Sequence, residues 1–287
     1  MPELPEVHTI VTDLNKHLIG FVIQSVKVKN NFKTNPKQNE FKKNLINKKI
    51  NGITRISKNI VFELSDETFL IFHLAMTGRL LIRKPEHPSD DWERIVIALT
   101  RNGKAGQLRF CDMRMFGKAE VIKKDLIKDL KNKYGPDILE GSLSPEEFLK
   151  ALLTKKTNVK NALLDQSIVS GIGNIYVNDL LWMSKTHPLT QTGDIKIAKA
   201  KVLLSNAKEI IKEAILHRGS TLNDKMYVDA FGRYGSHQNF FRVYDQKNCK
   251  NCGTKIKFKK INSRGTYYCP TCQVHKYEIK KNKTGKL

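Results

Sequence analysis

Residues 50–83 read INGITRISKNIVFELSDETFLIFHLAMTGRLLIR. Within them Ile50 to Ser57, Ile60 to Leu64, Phe69 to Leu74 and Arg79 to Arg83 are short β-rich runs, each cut off by residues that favour turns. Strands that follow one another so closely pair through tight turns, not through crossover helices. The pattern continues outward on both sides, at Phe21 to Lys29 before it and at Arg94 to Thr100, Gln107 to Cys111 and Lys118 to Ile122 after it. Arg101-Asn102-Gly103 is a hairpin signal between two of these runs. Many short strands of this kind predict a β-sandwich or barrel.

Upstream of the first strand, Val7, Ile10, Val11, Leu14 and Leu18 recur at helical spacing and Gly20 stops the run, so a helix is expected to lie on the β-structure. It begins Pro2-Glu3-Leu4-Pro5-Glu6. A proline in the first turn and an acidic residue beside it suit an ordinary helix start. The same residues carry a chemical alternative: if Met1 is removed, a secondary amine on a rigid ring stands next to a carboxylate. Chain-terminal amines titrate at about 8, so part of the population is unprotonated near neutrality and can attack a sugar carbon. The iminium so formed is permanently charged and acts as an electron sink.

Three places in the strand-rich region stand out. Lys58 follows Ser57 at a predicted hairpin tip, where an amine is either solvated or in reach of a phosphate. His73-Leu74-Ala75-Met76-Thr77-Gly78-Arg79 and Asp112-Met113-Arg114-Met115-Phe116-Gly117 each set a large apolar side chain just before a glycine turn. Met76 and Phe116 are therefore core fillers or wedges for a base stack.

Beyond Tyr134-Gly135-Pro136 the period changes. Ser144-Pro145-Glu146-Glu147 is a capping box, and helical spacing follows through Phe148 to Leu153, Val159 to Leu164, Ile175 to Met183 and Asp194 to His217. Ser170-Gly171-Ile172-Gly173-Asn174 opens one helix with exposed amides, which serves either as a tight turn or as an anion site, with Lys160 as a second cation. Arg218 to Gln238 has little periodicity and reads as a long loop.

Near the C-terminus, Cys249-x-x-Cys252 and Cys269-x-x-Cys272 enclose sixteen residues that alternate like a hairpin. Four thiolates at that spacing close a structural zinc site, with Arg264 at the hairpin tip. The fifth cysteine, Cys111, reads as buried packing.

The chain of 287 residues carries 51 basic and 28 acidic side chains, a formal charge of +23, which calls for a polyanionic partner. No apolar run approaches a bilayer span and the N-terminus lacks the pattern of a signal peptide, so the expectation is a cytoplasmic, nucleoid-associated protein with no membrane partner.

Taken together, Pro-Glu-Leu-Pro-Glu-Val, His-Leu-x-Met-x-Gly-Arg-Leu, Asp-x-Arg-x-Phe-Gly, Gly-x-Gly-Asn-Ile-Tyr and the four-cysteine ribbon resemble the formamidopyrimidine-DNA glycosylases, relatives of the endonuclease VIII group. The resemblance implies an α+β chain: an N-terminal β-sandwich with flanking helices, a helix-two-turns-helix domain and a zinc ribbon. The expected boundaries are 1–133, a linker at 134–143, 144–238, 239–276 and a basic tail at 277–287.

It also implies a bifunctional glycosylase and AP lyase acting on oxidised purines in duplex DNA. Pro2 would be the nucleophile, Glu3 the proton carrier, and Glu6 a support for the site. Lys58 and Arg264 are further candidate proton donors. Lys58, Lys160, Asn174 and Arg264 would grip phosphates. Met76 would fill the space of the flipped nucleotide, Arg114 would bond the orphaned base, and Phe116 would wedge the next step. Ser220 and the loop after it would cover the lesion, with one zinc on Cys249, Cys252, Cys269 and Cys272.

His8, Met115 and Tyr244-Asp245-Gln246 depart from the family's pattern, the last putting the turn before the ribbon in doubt. The chain is expected to act as a monomer. Two other readings remain at this point: the same chemistry directed at oxidised pyrimidines, and a non-catalytic zinc-ribbon DNA-binding protein.

Overall fold

The structure is a computed structural model; it describes residues 2–141 and 143–275, and the basic tail lies outside them. The chain forms two compact units, 1–132 with 214–238, and 133–213 with 239 onward.

In the first unit, helix α1 (Leu4–Leu18) precedes strand β1 (Val22–Val28), and a one-and-a-half-turn helix α2 (Gln38–Lys43) follows. Then come β2 (Ile50–Ile56), β3 (Asn59–Leu64), β4 (Thr68–His73), β5 (Gly78–Arg83), β6 (Glu93–Arg101), β7 (Lys104–Asp112), β8 (Lys118–Lys123) and α3 (Ile127–Asn132). These strands form two four-stranded antiparallel sheets, ordered β1-β6-β7-β5 and β2-β3-β4-β8, the layered arrangement read from residues 50–83. At the β6–β7 turn Asn102 and Gly103 take φ of 49° and 75°, the left-handed pair that such a two-residue hairpin needs.

Alternation sends Ile53, Phe62 and Phe72 from one sheet, and Ile97, Leu108 and Phe110 from the other, into one core. The rings of Phe72 and Phe110 meet there with centroids 5.3 Å apart. Helix α1 adds Val7, Ile10 and Leu14 to the same core, and Asn15 Oδ1 accepts from the Ile53 amide at 3.2 Å. The helix that carries Pro2 and Glu3 at its start is thus fixed to the β-structure along its length.

Segment 214–238, read from the sequence as the end of the helical domain, packs in the first unit. The Arg218 guanidinium bridges Asp13 on α1 and Asp229, and Tyr227 and Ala230 join the sandwich core. Ile82 on β5 donates to the Ala230 carbonyl at 2.8 Å. These partners are far away in sequence, and periodicity carries no trace of them.

The second unit begins with α4 (Pro145–Leu153), α5 (Val159–Leu164), α6 (Asn174–Met183) and α7 (Ile197–Leu216), the last running into the returning segment. The capping box forms as read: Glu147 N donates to Ser144 Oγ at 3.1 Å and Ser144 N to Glu147 Oε2 at 2.9 Å. Two strands, β9 (Lys257–Ile261) and β10 (Arg264–Tyr268), make the ribbon hairpin.

The turn before the ribbon survives its departure from the usual sequence. Asp245 adopts φ 53°, a conformation aspartate tolerates better than most side chains. Asp179 on α6 holds the preceding residues, accepting from the amides of Arg242, Val243 and Tyr244 at 2.8, 2.9 and 3.0 Å.

Candidate active site

The start of α1 is closed off from solvent: Pro2 is buried, and Glu3 and Glu6 are each 1% exposed. Burying a carboxylate requires hydrogen-bond donors. Glu6 has two from the backbone, the Glu3 amide on Oε2 at 2.7 Å and the Ser220 amide on Oε1 at 2.8 Å. Gly219 is what lets the second strand of chain approach so closely. Its φ is 81°, and a Cβ there would lie 2.8 Å from Glu6 Oε1. Glu6 therefore joins the helix start to the entrance of the 221–227 loop.

Ser220 is 2% exposed and serves as the anchor of that loop. The stretch that follows, 223–225, is exposed. Lys58 sits half-buried at the β2–β3 turn, where Ser57 takes φ 55°.

Met76 and Phe116 are not core fillers. Met76 is 41% and Phe116 55% exposed, an arrangement that leaves apolar surface for a partner. Arg114 brings the two together: its Nη1 lies 3.2 Å from Met76 sulfur, and its guanidinium sits 4.6 Å from the Phe116 ring centroid. An exposed thioether, a guanidinium and an aromatic ring thus form one cluster.

Asp112 and Gly78, to which the sequence assigns no site role, hold that cluster. The Asp112 carboxylate, fully buried, accepts from the Thr77 hydroxyl and from the amides of Arg114 and Gly117 at 3.3 and 2.7 Å. It ties the Met76 turn to the Arg114 loop. Asp112 was open to detection, because aspartate before a tight turn commonly accepts from amides two residues on. Gly78 completes the Met76 turn, since a Cβ there would lie 2.4 Å from the Leu74 carbonyl oxygen.

In the second unit, Asn174 opens α6 and Arg264 is exposed at the start of β10, next to the Asn262-Ser263 turn. Lys160 departs from expectation. It is fully buried on α5, and its Nζ donates to the Gly265 carbonyl at 2.9 Å and to the Thr266 hydroxyl at 2.7 Å. Asn174 Nδ2 reaches the same carbonyl at 3.2 Å, and its Oδ1 is buried without a hydrogen-bond partner. Both side chains hold the hairpin that carries Arg264.

The four cysteines fit zinc. Sulfur–sulfur separations of 3.8 Å for Cys249–Cys272, 3.5 Å for Cys252–Cys269 and 3.6 Å for Cys252–Cys272 are far too long for disulfides. They match the roughly 3.8 Å edge of a tetrahedron built on Zn–S bonds of about 2.3 Å. Trp182 on α6 donates its indole N–H to Cys249 sulfur at 3.3 Å, orienting a ligand from outside the ribbon. Hydrogen bonding with the Thr254 side chain and backbone lowers the Cys252 thiol to about 6, while burial pushes that of Cys269 up to about 12. All four positions are protein ligands, so the single zinc is structural.

Three family models match the chain: the formamidopyrimidine-DNA glycosylase N-terminal domain over residues 1–119, its H2TH domain over 134–226, and a zinc finger found in FPG and IleRS over 247–274. The formamidopyrimidine-DNA glycosylase of Lactobacillus johnsonii is 38% identical over 280 residues, covering 96% of this chain and 99% of that protein. That of Desulforamulus reducens is 37% identical over 279 residues, covering 95% and 99%. Among solved structures, Lactococcus lactis Fpg in complex with abasic-site DNA matches with a TM-score of 0.87 at 32% identity, covering 96% of this chain and all of that one. The same protein with Fapy-dG DNA gives a TM-score of 0.86 over 95% of this chain. The chain belongs to the formamidopyrimidine-DNA glycosylase family.

Proposed function

We propose that the protein is a base-excision repair enzyme, a DNA glycosylase and AP lyase that removes 8-oxoguanine and formamidopyrimidines from duplex DNA. The observation that carries this reading is the buried start of α1, where the Glu3 amide beside Pro2 bonds a carboxylate that is also held by Ser220, 214 residues on in the chain. With Met1 removed, the Pro2 nitrogen attacks the deoxyribose C1′, the C1′–N bond to the damaged base breaks, and the base leaves with its bonding pair. Glu3 takes the proton from the attacking nitrogen and delivers it to O4′ as the C1′–O4′ bond breaks, and the nitrogen's lone pair closes the iminium. That cation acidifies C2′. Loss of the C2′ proton expels the 3′ phosphate by β-elimination, and δ-elimination then releases the 5′ phosphate. Lys58 and Arg264 are further candidate proton donors.

Flipping the target nucleotide costs a few kcal/mol, and damage lowers that cost. The cluster of Met76, Arg114 and Phe116 suits the remaining task. Met76 fills the vacated place, Arg114 bonds the orphaned base, and Phe116 wedges the adjoining step. Lys58, Asn174 and Arg264 contact phosphates, as does the excess of positive charge. The complexes of Lactococcus lactis Fpg with abasic and Fapy-dG DNA support this substrate class. No described helix is long and apolar enough to cross a membrane. We place the enzyme in the cytoplasm on nucleoid DNA, working as a monomer.

Excision assays on otherwise identical duplexes bearing 8-oxoguanine or thymine glycol test the reading. Faster release of 8-oxoguanine is expected; a strong preference for thymine glycol would move the enzyme to the oxidised-pyrimidine branch.

A further inference from the structure

Arg79, the second residue of β5, has no part in the chemistry described above. Its guanidinium holds two successive carbonyls of a segment almost 150 residues away: Nε donates to Met226 O at 2.9 Å and Nη2 to Lys225 O at 2.8 Å. The cation also lies 5.6 Å from the ring centroid of Trp92, which limits its freedom to swing away. Residues 221–227 form a small closed loop. The Thr221 hydroxyl donates to Tyr227 O at 3.0 Å, the Lys225 amide to Leu222 O at 2.9 Å, and the Met226 amide to Asp224 Oδ1 at 3.1 Å.

The loop is held from outside at both ends, and Thr221 at its entrance is held further by the Gln238 side chain and the Gly235 amide. Glu6 fixes its entrance through Ser220, and Arg79 fixes its far end. The exposed residues 223–225 span the interval. Arg79 also stands three residues after Met76, on the strand that emerges from the Met76 turn.

We propose that Arg79 is a positioning residue that holds the 221–227 loop in place over the flipped purine, so that it governs base excision and not strand cleavage. This rests on the function proposed above. A loop that touches the base has nothing to hold at a preformed abasic site, where Pro2 and Glu3 still act on the sugar. Removing Arg79 should therefore separate the two activities. A cavity of about 180 Å³ is bordered by Arg79, Asp90 and Lys225, so Arg79→Ala is expected to fold with water on the freed carbonyls.

The test compares wild type, Arg79→Ala and Arg79→Lys in single-turnover assays on two duplexes of one sequence, one with 8-oxoguanine and one with an abasic site. Misplacing the loop should lower 8-oxoguanine excision by Arg79→Ala by about tenfold to a hundredfold, with abasic-site cleavage unchanged. Arg79→Lys, with one charged donor in place of a fork, should fall between. Equal loss of both activities would show a structural or phosphate-binding role, and equal retention would show that the contact does nothing; either overturns the proposal. Wild type that cleaves the abasic duplex but leaves 8-oxoguanine in place would refute the substrate reading itself, and this inference with it.

Discussion

Glu6 and Ser220 are 214 residues apart in the chain, yet the Ser220 amide donates to Glu6 Oε1 at 2.8 Å while the other oxygen accepts from the Glu3 amide at 2.7 Å. One buried carboxylate thereby sets both the start of α1 and the entrance of the 221–227 loop. Glutamine in its place turns an –NH₂ toward one of the two amides. A buried hydrogen bond to a charged group is worth about 1.5–3 kcal/mol. Glu6→Gln is expected to lose that much stability in denaturant unfolding of the first unit and to excise slowly. Full stability and full rate would remove Glu6 from the site.

His73 connects pH to the Met76 turn. Its Nδ1 accepts from the Ala75 amide at 3.2 Å, a bond that only the neutral ring can make. Burial first, then the charges of Lys118 and Lys58, hold the imidazole below its ordinary 6.5. Below 6.5 the unfolded chain takes up a proton that the folded one resists. The contribution is thus complete above 6.5 and is lost as pH falls from there through the folded value. An NMR titration of His73 should give a midpoint below 6.5, with excision declining on the acid side; a midpoint at or above 6.5 would contradict the assignment.

Arg264 is exposed at the end of a hairpin that Lys160 and Asn174 hold from behind. As a phosphate contact it carries no base preference. Arg264→Ala should weaken binding to every duplex alike and flatten the slope of log affinity against log salt by about one. A slope equal to that of wild type would remove Arg264 from the phosphate set.

Zinc should be present at one ion per chain by elemental analysis. Stripping it should abolish DNA affinity while leaving the strand signal of the first unit in circular dichroism, because the ligand set lies wholly in the ribbon. Zinc-free protein with undiminished affinity would contradict the role given to the ribbon.

Local order was legible in the sequence wherever one face of an element is buried. The helical spacing of Val7, Ile10 and Leu14, the alternation within residues 50–83, and the Asn102-Gly103 turn each reappear in the structure within a residue or two. What stayed hidden rests on single long-range hydrogen bonds. Segment 214–238 returns to the first unit through Arg218, Ser220 and Met226, none of which alters a local period. Lys160 looked like a cation at the end of an apolar helix. Only the Thr266 hydroxyl and Gly265 carbonyl opposite it show why a charged side chain can be buried there. For Met76 and Phe116 the residue types alone favour the core over the surface, and the structure reverses that by leaving both exposed.

The central claim is that the Pro2 nitrogen captures the sugar, and borohydride trapping on an 8-oxoguanine duplex tests it most directly. The expected result is a covalent protein–DNA adduct that maps to Pro2 and disappears in Pro2→Gly and in protein that retains Met1. An undiminished adduct in either would contradict the claim and make Lys58 the attacking amine.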